Sequence, residues 1–501
     1  MTYLTTSAQR NPHGTAVIAP QGELTWAEVE KRAKQVAHAL RAEGLDVGSR
    51  WAFLSDNRIE WPELFLGNVL AGTQYVPLNW HLTVPELVYL LDNSAATFMI
   101  VDQKNEVNGR AAAKEVGIPD SRIVVLGDTY DAWRDAQNDS PVECTRTGSP
   151  LLYTGGTTGA SKGVVRADNG MPFDAWLAGV TNWGTYLHMP EKGVCYIATP
   201  LYHAFGTGVL QACFGRQHTI VLKERFVIED FLQDVQEFKI TSVPMVPTLM
   251  VRLAKLEDDV FKQHNLSSLQ WITHTAAPCP PWAKQRLIDL LGPIVVEFYG
   301  SSEGTGPVVC TSQEWIDRPG TVGKPAPILK ASVVDEDGKD LPPGEIGILY
   351  FLRDGGPPQY HGDETKTNAS RLPDGRFTVG DLGYMDSDGF IYLVDRRVDL
   401  IISGGSNIYP AEIEGVLSQH PAVRDVAVFG IPHPEFGQEV KAAIELEPGY
   451  QLTEQDLIAW SKVRLASYKC PKSVDFHDAL PREAHGKLKK RYLRDAYWPA
   501  S

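Results

Sequence analysis

Short apolar segments alternate with helical patterns from residue 25 to residue 298, and this alternation restricts the fold more than any other feature. Thr25-Trp-Ala-Glu28 is a capping box, which predicts that a helix begins there. Trp51–Leu54 and Tyr75–Leu78 are typical of buried strands, and the alternation resumes after residue 190 with Val194–Ala198 and Ile294–Phe298. Strands that alternate with helices indicate βαβ units and a mostly parallel sheet. The sequence therefore predicts an α/β fold with two stacked, doubly wound α/β units.

The pattern changes after Thr321, where turns such as Asp388-Gly389 separate the apolar segments instead of helices. Ile346–Tyr350, Phe377–Val379 and Phe390–Val394 are such segments, and they predict antiparallel strands in a small β-barrel over about residues 310–395. Beyond residue 396 helix and strand patterns mix again, which predicts a smaller α+β domain of about a hundred residues. We therefore expect an N-terminal domain over 1–395 and a C-terminal domain over 400–501.

Length and composition narrow the class of protein. At 501 residues the chain exceeds one ordinary core, and its 43% hydrophobic and 22% charged residues are typical of globular proteins. The six cysteines lie far apart without a CxxC pair, which argues against a disulfide framework or a zinc site and predicts a reducing, cytoplasmic location. The first residues lack the pattern of a signal peptide, and no apolar run of about 18 residues predicts a transmembrane segment.

The net charge of −15 argues against a nucleic-acid partner. The charge is uneven, because the stretch 462–494 holds ten Lys and Arg residues against three Asp and Glu residues. Such a stretch is either a solvated face or a surface for an anionic ligand, and the sequence leaves both interpretations open.

A Gly- and Thr-rich loop lies between two apolar segments, Leu151–Tyr153 and Val164–Val165. Its glycines permit positive φ angles and a close approach of backbone N–H groups to phosphate oxygens, and Lys162 adds a positive charge. The loop lacks the ending of a Walker motif and leads into β-branched residues instead of a helix. We favour a phosphate clamp, with a hairpin turn as the alternative. The candidate phosphate-binding residues are Thr154, Gly155, Gly156, Thr157, Thr158, Gly159 and Lys162.

The segment Tyr299-Gly-Ser-Ser-Glu-Gly304 directly follows the predicted strand Ile294–Phe298. Ligands bind beyond the carboxyl ends of strands in open parallel sheets, so this segment is a second candidate for the site. Mg²⁺ binds through one or two carboxylates together with phosphate oxygens, which makes Glu303 the candidate metal ligand. Tyr299 and Gly300 are candidates for a nucleotide-base site, and Ser302 is a candidate phosphate ligand. A simple turn after the strand is the alternative.

Four further residues carry groups that suit catalysis or binding. Asp381 follows a predicted strand, where a carboxylate can accept hydrogen bonds from two ribose hydroxyls, and Arg396 is a candidate ribose or phosphate ligand. Lys487 lies in a Gly-Lys pair of the basic stretch, where an ammonium group can lower the barrier to joining two anions. His203 is a candidate catalytic residue, and a structural role is the alternative. A turn residue and a solvated side chain are the alternatives for Asp381 and Arg396.

Taken together, these motifs resemble those of the adenylate-forming superfamily of acyl-CoA synthetases, adenylation domains and luciferases. The resemblance runs through Tyr153–Gly163, Tyr299–Gly304, Thr378–Gly383 and Ile402–Glu414 in the order of the superfamily, and it is greatest for acyl-CoA synthetases. It implies that acyl-AMP forms from Mg²⁺-bound ATP and a carboxylic acid. Coenzyme A (CoA) would then take the acyl group and release AMP.

The resemblance also implies roles for individual residues. Lys487 is expected to be the adenylation lysine, His203 to lie where the carboxylate substrate meets ATP, and Ala276 to lie beside adenine. The pair Gly404 and Gly405 would approach the pantetheine arm of CoA. Residues 396–399 are expected to form the hinge of a mobile C-terminal domain, and Lys490 is expected at the surface or near the CoA phosphates.

The chain departs from the usual motifs at several positions. Gly155 replaces a common Ser, the usual Pro before Ser or Lys is missing, Ser302 stands where Thr is commoner, and Val398 occupies the hinge pivot. The sequence leaves open an enzyme that transfers the acyl group to a carrier protein or an amine, and a nucleotide-binding relative without activity. The segments His274–Pro280 and Asp395–Asp399 resemble the branch acting on fatty, steroid-side-chain or other bulky carboxylates. The oligomeric state is left open, with a homodimer as one alternative.

Overall fold

The structure is a computed structural model that describes residues 11–154, 161–165, 170–353, 356–396, 399–404, 406–483 and 486–498. For Thr154 and Arg396 it describes the backbone. Within these residues strands and helices alternate through the N-terminal part of the chain, as the sequence predicts.

The first 150 residues contain a parallel sheet covered by helices. Their elements are β1 (Thr15–Ala19), β2 (Gly22–Thr25), α1 (Trp26–Ala42), β3 (Arg50–Leu54), α2 (Trp61–Ala71), β4 (Gln74–Leu78), α3 (Val84–Ser94), β5 (Met99–Val101), α4 (Glu106–Glu115), β6 (Ile123–Val125), α5 (Asp128–Asp135) and β7 (Ser149–Pro150). Five of the strands pair in the order β6-β5-β3-β4-β7, all parallel. Thr25 and Glu28 form the predicted capping box, which explains why α1 begins at Trp26.

The second α/β unit repeats this arrangement. Its elements, with the hairpin that precedes them, are β8 (Leu152–Thr154), β9 (Lys162–Val165), α6 (Phe173–Tyr186), β10 (Gly193–Ile197), α7 (Ala204–Arg216), β11 (His218–Leu222), α8 (Ile228–Phe238), β12 (Ser242–Met245), α9 (Pro247–Ala254), α10 (Asp258–Lys262), β13 (Trp271–His274), α11 (Pro281–Leu291) and β14 (Val295–Tyr299). Strands β10 to β14 all belong to one sheet and run parallel, so their carboxyl ends meet at one edge. The antiparallel pair β1-β2 extends the sheet beyond β11, on the side away from β14.

The antiparallel region continues the same sheet. Its elements are β15 (Val308–Cys310), α12 (Ser312–Asp317), β16 (Thr321–Pro325), β17 (Leu329–Val334), β18 (Gly347–Arg353), β19 (Gln359–Tyr360), α13 (Glu364–Ala369), β20 (Asp381–Met385) and β21 (Ile391–Arg396). Beyond β14 the strand order is β15-β16-β21-β20-β18-β17. The predicted strand at Phe377–Val379 is wrong, because Phe377 forms isolated bridges with Phe351 and Arg371 instead of a continuous ladder.

The C-terminal part has its own sheet and core. Its elements are β22 (Ile401–Ser403), β23 (Ser406–Ile408), α14 (Pro410–Leu417), β24 (Val423–His433), β25 (Gly437–Leu446), α15 (Glu454–Lys462), β26 (Ser473–His477) and α16 (Lys490–Arg494). The long hairpin β24-β25 forms its centre, and β26 pairs parallel with β25. Among the residues that the structure describes, apolar side chains from Ile401 to Val474 pack together in a core without a member from the N-terminal part.

The two α/β units stack through the helices between their sheets. Phe65 of α2 stacks on Phe214 of α7 with ring centroids 6.2 Å apart, and both rings belong to one core shared by the two units. Residues of β3, β10 and β14 contribute to the same core. The predicted fold class, a large N-terminal α/β region with a smaller C-terminal α+β domain, is confirmed.

Candidate active site

A cavity of about 1640 Å³ lies between the N-terminal region and the C-terminal domain, at the carboxyl ends of β13 and β14. Two contacts join the α9–α11 region to the C-terminal domain beside this cavity. Trp282 Nε1 donates to Ser418 Oγ at 3.2 Å, and the Lys255 ammonium lies 3.3 Å from Glu447 Oε1. Six of the predicted site residues line this cavity: His203, Ala276, Tyr299, Gly300, Asp381 and Lys487.

Tyr299 and Asp381 meet at one wall of the cavity. Tyr299 is the last residue of β14 and Asp381 the first residue of β20. The Tyr299 hydroxyl donates a hydrogen bond of 2.7 Å to Asp381 Oδ2. Asp381 is buried, and strand pairing sets it opposite the backbone of Arg396. The phenol therefore holds a buried carboxylate in one orientation beside the cavity, which suits recognition of a diol.

Lys487 lies in a tight loop that a charged pair holds to the C-terminal sheet. Arg482 makes two hydrogen bonds to the Asp425 carboxylate, at 2.5 and 2.7 Å. The Glu483 N–H donates to the Lys487 carbonyl at 2.8 Å, which closes the loop. Gly486 has a φ of 86°, and a Cβ built there would lie 3.0 Å from Val246 across the cleft. The loop thus brings Lys487 to the cavity at a point where the two parts of the chain touch.

His203 and Ala276 also line the cavity. His203 is the N-cap residue of α7, and its ring lies 4.6 Å from that of Tyr202. Ala276 follows β13 and has a φ of 78°, in the left-handed region that an alanine rarely adopts. Such backbone strain is found where a function requires the conformation, and here it turns the chain along the cavity wall.

Lys162 lies on a separate small sheet formed by β8, β9 and β19, and Glu303 contacts this sheet from the turn after β14. Lys162 pairs with Asp363, and Tyr360 donates a hydrogen bond of 3.0 Å to Glu303 Oε1. Tyr360 pairs with Val164 in this sheet, two residues from Lys162. Of the predicted residues that the structure describes, Lys162, Ser302, Glu303 and Gly404 do not line the cavity. The neighbouring Ser161 does line it, so the small sheet borders the same cleft.

The sequence pattern did not single out Asp363 or Lys366. Asp363 caps α13 by accepting from the Lys366 N–H at 2.9 Å, and its bonds to Lys162 and to this N–H lower the pKa of the carboxyl group. Burial and the nearby Lys162 lower the pKa of the Lys366 ammonium, while Glu303 and Asp363 act in the opposite direction. The Asp-x-x-Lys pattern could have marked Asp363 as a helix cap. It could not have shown that Asp363 approaches Lys162, because that is a tertiary contact.

A buried charged group lies at the cavity wall, where Glu297 is one of the lining residues. Lys284 Nζ donates to Glu297 Oε2 at 2.7 Å, and His274 Nε2 lies 3.8 Å from the same oxygen. Burial lowers the pKa of His274 to about 4, opposed by Glu297 and assisted by Lys284. The imidazole is therefore neutral at pH 7. Lys284 and Glu297 have the properties of a buried structural ion pair.

Gly404 lies in the C-terminal domain and is not among the residues that line the cavity. Its φ is 56°, and its N–H donates to the Phe436 carbonyl at 2.9 Å. Ile402 and Phe436 beside it are about half exposed. Lys490, expected at the surface or near the CoA phosphates, has its ammonium 2.8 Å from Glu414 and a side chain that is 14% exposed.

Several predicted residues fall outside the described part of the chain: Gly155, Gly156, Thr157, Thr158, Gly159, Val398 and Gly405, with the side chains of Thr154 and Arg396. Within the described part no group of three or more His, Cys, Asp or Glu residues is arranged to hold a metal ion. No helix there has the length and apolar character needed to cross a membrane.

Comparison with known proteins then identifies the family. The AMP-binding enzyme family matches residues 4–360, and the AMP-binding enzyme C-terminal domain matches residues 412–487. This chain belongs to the family of AMP-binding enzymes.

Three similar proteins illustrate the relationship of this AMP-binding enzyme to known ligases. Feruloyl-CoA synthase of Amycolatopsis sp is 33% identical over 97% of this chain and 96% of its own length. The fatty acid–[acyl-carrier-protein] ligase ScoC of Streptomyces coeruleorubidus is 31% identical over 98% of this chain and 95% of its own length. The solved anthranilate CoA ligase AuaEII in complex with anthranoyl-AMP is 26% identical with a TM-score of 0.88, covering 99% of this chain and 96% of that chain.

These comparisons confirm the predicted adenylate-forming superfamily and the predicted class, an acid–thiol ligase that acts on carboxylic acids. Ligases of this class use ATP and CoA. The comparisons leave the roles of the individual site residues as predictions.

Proposed function

We propose that this AMP-binding enzyme is an acyl-CoA synthetase that works in two steps. In the first, a carboxylate oxygen attacks the α-phosphorus of ATP, the bond to the β-phosphate oxygen breaks, and pyrophosphate leaves with acyl-AMP formed. In the second, the CoA sulfur attacks the acyl carbon, the acyl–oxygen bond breaks, and AMP leaves. The first step replaces a poor leaving group, oxide, by a good one.

The observation that carries this proposal is the convergence of Lys487, His203, Tyr299 and Asp381 on one cavity from four different parts of the chain. Asp381, oriented by Tyr299, would accept the ribose hydroxyls, and Ala276 and Gly300 would flank the base. The Lys487 ammonium would then lie between the carboxylate and the α-phosphate, where it offsets the repulsion of two anions and the charge that develops between them. His203 would orient the carboxylate substrate.

The residues around Glu303 fit a magnesium ion. A single hard carboxylate suits Mg²⁺, which completes its shell with water and phosphate oxygens, and Tyr360 fixes this carboxylate beside the Lys162 hairpin. When bound, the ion would neutralise charge on the triphosphate. Lys162 and the Gly/Thr loop would hold the outer phosphates, and the Lys162–Asp363 pair would open as they do so.

For the second step we propose that the C-terminal domain turns about residues 396–399. In the described arrangement Lys487 lines the cavity and Gly404 does not. A turn would withdraw Lys487 and present the Gly404 face, whose exposed Ile402 and Phe436 suit the apolar part of a pantetheine arm. The separate core of the C-terminal domain supports the proposed boundaries 1–395 and 400–501, because a domain that moves as a unit needs its own packing. Six free cysteines support a cytoplasmic location.

Transfer to an acyl carrier protein is a second candidate for the final step. It is favoured by the similarity to the ligase ScoC, whose name states a carrier-protein acceptor. Both acceptors present a thiol on a pantetheine arm, so the same face would receive either. Supplying acyl-AMP with CoA or with a pantetheine-bearing carrier protein, and measuring thioester formed, separates the two candidates.

The test of the proposed function is pyrophosphate release over a panel of carboxylic acids, with and without CoA. We expect acid-dependent release and CoA-dependent thioester formation. Lys487→Ala should lower the first step by about 100- to 1,000-fold and spare thioester formation from supplied acyl-AMP. Lys462→Ala, which removes an exposed Lys of the same domain, is the matched control. Equal loss in both half-reactions of Lys487→Ala would contradict the role given to this lysine.

A further inference from the structure

Four charged side chains meet where the hairpin β8-β9 contacts α13: Lys162, Glu303, Asp363 and Lys366. Lys162 is the first residue of β9 and pairs with Asp363, the N-cap residue of α13. The carboxylates of Glu303 and Asp363 act to raise the pKa of the Lys366 ammonium, and the other lysine acts to lower it. Lys366 is therefore within electrostatic reach of all three charges. The proposed function uses Lys162 and Glu303 and leaves the charge of Lys366 unassigned.

The position of Lys366 is set by its own helix and by a tyrosine ring. Its N–H donates to the Asp363 carboxylate at 2.9 Å in the first turn of α13. Its ammonium lies 4.4 Å from the centre of the Tyr360 ring, and the hydroxyl of the same ring donates to Glu303 Oε1 at 3.0 Å. An ammonium over an aromatic face is attracted by the negative face of the ring. Tyr360 thus holds Lys366 close to the carboxylate that fits a magnesium ion.

Hydrogen bonds attach α13 to the small sheet. The Tyr360 N–H donates to Thr367 Oγ1 at 3.0 Å, and this hydroxyl donates to the Asp363 carbonyl at 2.8 Å. The strand β19, which contains Tyr360, pairs with β9. Because β9 begins at the end of the Gly/Thr loop, these bonds hold Lys366 close to that end.

The four charges lie at the border of the cavity. Ser161 and Ser301 line the cavity. Ser161 directly precedes Lys162 in the chain, and Ser301 lies two positions before Glu303. Under the proposed function the ribose binds Asp381 and the outer phosphates bind the Gly/Thr loop. The pyrophosphate that leaves would therefore face this charged group.

The charges of the group balance as long as no nucleotide is bound, because two lysines face two carboxylates. A triphosphate adds negative charge at this point. Lys162 by itself can offset either the Asp363 carboxylate or the outer phosphates, but not both. A second ammonium is needed to offset the other anion, and Lys366 is the lysine that the contacts of Tyr360 bring there.

We propose that Lys366 binds the pyrophosphate leaving group as a second cation beside Lys162. The inference rests on the proposed function, since it concerns the phosphates of that same reaction. The Lys366 ammonium leaves the face of Tyr360, donates a hydrogen bond to an outer phosphate oxygen and keeps its protons throughout. It stabilises the charge that develops on pyrophosphate as the bond to the α-phosphorus breaks, and it binds pyrophosphate equally in the reverse reaction.

Inorganic pyrophosphate is the probe, and its affinity is measured by titration calorimetry in the presence of Mg²⁺. Acid-dependent ATP–pyrophosphate exchange at varied pyrophosphate gives its KM. We expect Lys366→Met to weaken pyrophosphate binding about 10- to 100-fold and to raise this KM by a similar factor, because a hydrogen bond to a charged group has this strength. KM for the acid should stay within about twofold, since the acid makes no contact with Lys366.

Two variants accompany Lys366→Met. Lys366→Arg keeps a cation over the Tyr360 ring and should retain pyrophosphate affinity within about fivefold. Lys330→Met removes an exposed lysine of β17 and is the matched control, which should match the wild type in both measurements. Should Lys366→Met lower the melting temperature, Lys366→Gln gives the same measurement with a polar side chain.

A double-mutant cycle with Asp363→Asn separates a contact with phosphate from a role confined to the Asp363 carboxylate. Asn caps helices as well as Asp does, so α13 should keep its start. If Lys366 binds phosphate, Lys366→Met should weaken pyrophosphate binding at least about fivefold in the Asp363→Asn background as well. No further loss in that background, or unchanged affinity in Lys366→Met alone, overturns the inference while the ligase function stands. A wild type that neither binds pyrophosphate nor exchanges it with any acid of a wide panel overturns both.

Discussion

The Tyr299 hydroxyl donates to Asp381 Oδ2 at 2.7 Å, and this bond joins the end of the parallel sheet to the antiparallel strands that extend it. Asp381 is buried, so its orientation depends on the few groups that touch it. Tyr299→Phe removes the donor without opening a cavity. We expect KM for ATP to rise about tenfold, because the carboxylate no longer faces the ribose in one orientation, while kcat changes less. Asp381→Asn should raise KM further, because the amide accepts fewer hydrogen bonds. Initial rates of pyrophosphate release at varied ATP measure both.

Tyr392→Phe is the control for this prediction, since Tyr392 lies on the neighbouring strand β21 and its ring stacks on Tyr384. An unchanged KM for ATP in Tyr299→Phe would mean that Asp381 is held adequately by its other contacts.

Arg482 holds the loop that carries Lys487. Its two hydrogen bonds to Asp425 hold the loop that carries Lys487, and it also bonds the Gly486 carbonyl at 2.5 Å. Arg482→Met keeps the length of the side chain and removes these bonds. We expect acyl-AMP formation to fall about 10- to 100-fold, since a small displacement of a catalytic group has an effect of this size. Thioester formation from supplied acyl-AMP should stay within about twofold.

Arg464→Met, which changes an exposed arginine of the same domain, should leave both half-reactions unchanged. A parallel fall of both half-reactions in Arg482→Met, together with a lower melting temperature, would instead assign Arg482 a general structural role.

Local patterns predicted the parts of the fold that local physics determines. The Thr25 capping box marks the start of α1 because its two hydrogen bonds lie within four consecutive residues. Buried strands such as β3 and β10 could be identified because a parallel strand covered on both faces is apolar throughout. Phe377–Val379 also consists of residues that favour strands, yet Phe377 forms only isolated bridges, because strand pairing depends on a partner elsewhere in the chain.

The geometry of the candidate site depends on contacts that no local pattern contains. Lys162 and Asp363 are separated by 201 positions, and Tyr299 and Asp381 by 82. The resemblance to the superfamily implied that Tyr299, Asp381 and Lys487 belong to one site, but it did not imply the bond between the first two. The pairing of Arg482 with Asp425 was also missed, because an Arg in a basic stretch is typical of a solvated surface.

The positive φ of Ala276 makes its replacement informative. Gly adopts this conformation without strain but loses more conformational entropy on folding, so Ala276→Gly should change the free energy of unfolding by less than about 1 kcal/mol. Ala276→Val puts a β-branched side chain at a φ of 78° and extends it into the cavity. We expect a loss of about 1–3 kcal/mol in stability and a higher KM for ATP. Denaturant unfolding and initial rates measure the two effects. The neighbouring Ala277→Val, without positive φ, is the control, and equal losses in both Val variants would remove the argument from backbone strain.

His274 should make the enzyme sensitive to acid. Burial lowers the pKa of this imidazole to about 4, against an ordinary value of 6.5, so the folded state holds it neutral while the unfolded chain takes up a proton. The stabilisation is therefore fully present above pH 6.5 and is lost as the pH falls towards 4. One pKa unit corresponds to 1.36 kcal/mol, so the loss amounts to about 3 kcal/mol for His274. His218, whose pKa burial also lowers to about 4, adds a separate contribution of the same sign. Unfolding free energies measured between pH 7.5 and pH 4.5 should fall less steeply in His274→Gln than in the wild type. The exposed His13→Gln should match the wild type, and an unchanged slope in His274→Gln would show that acid lability arises elsewhere.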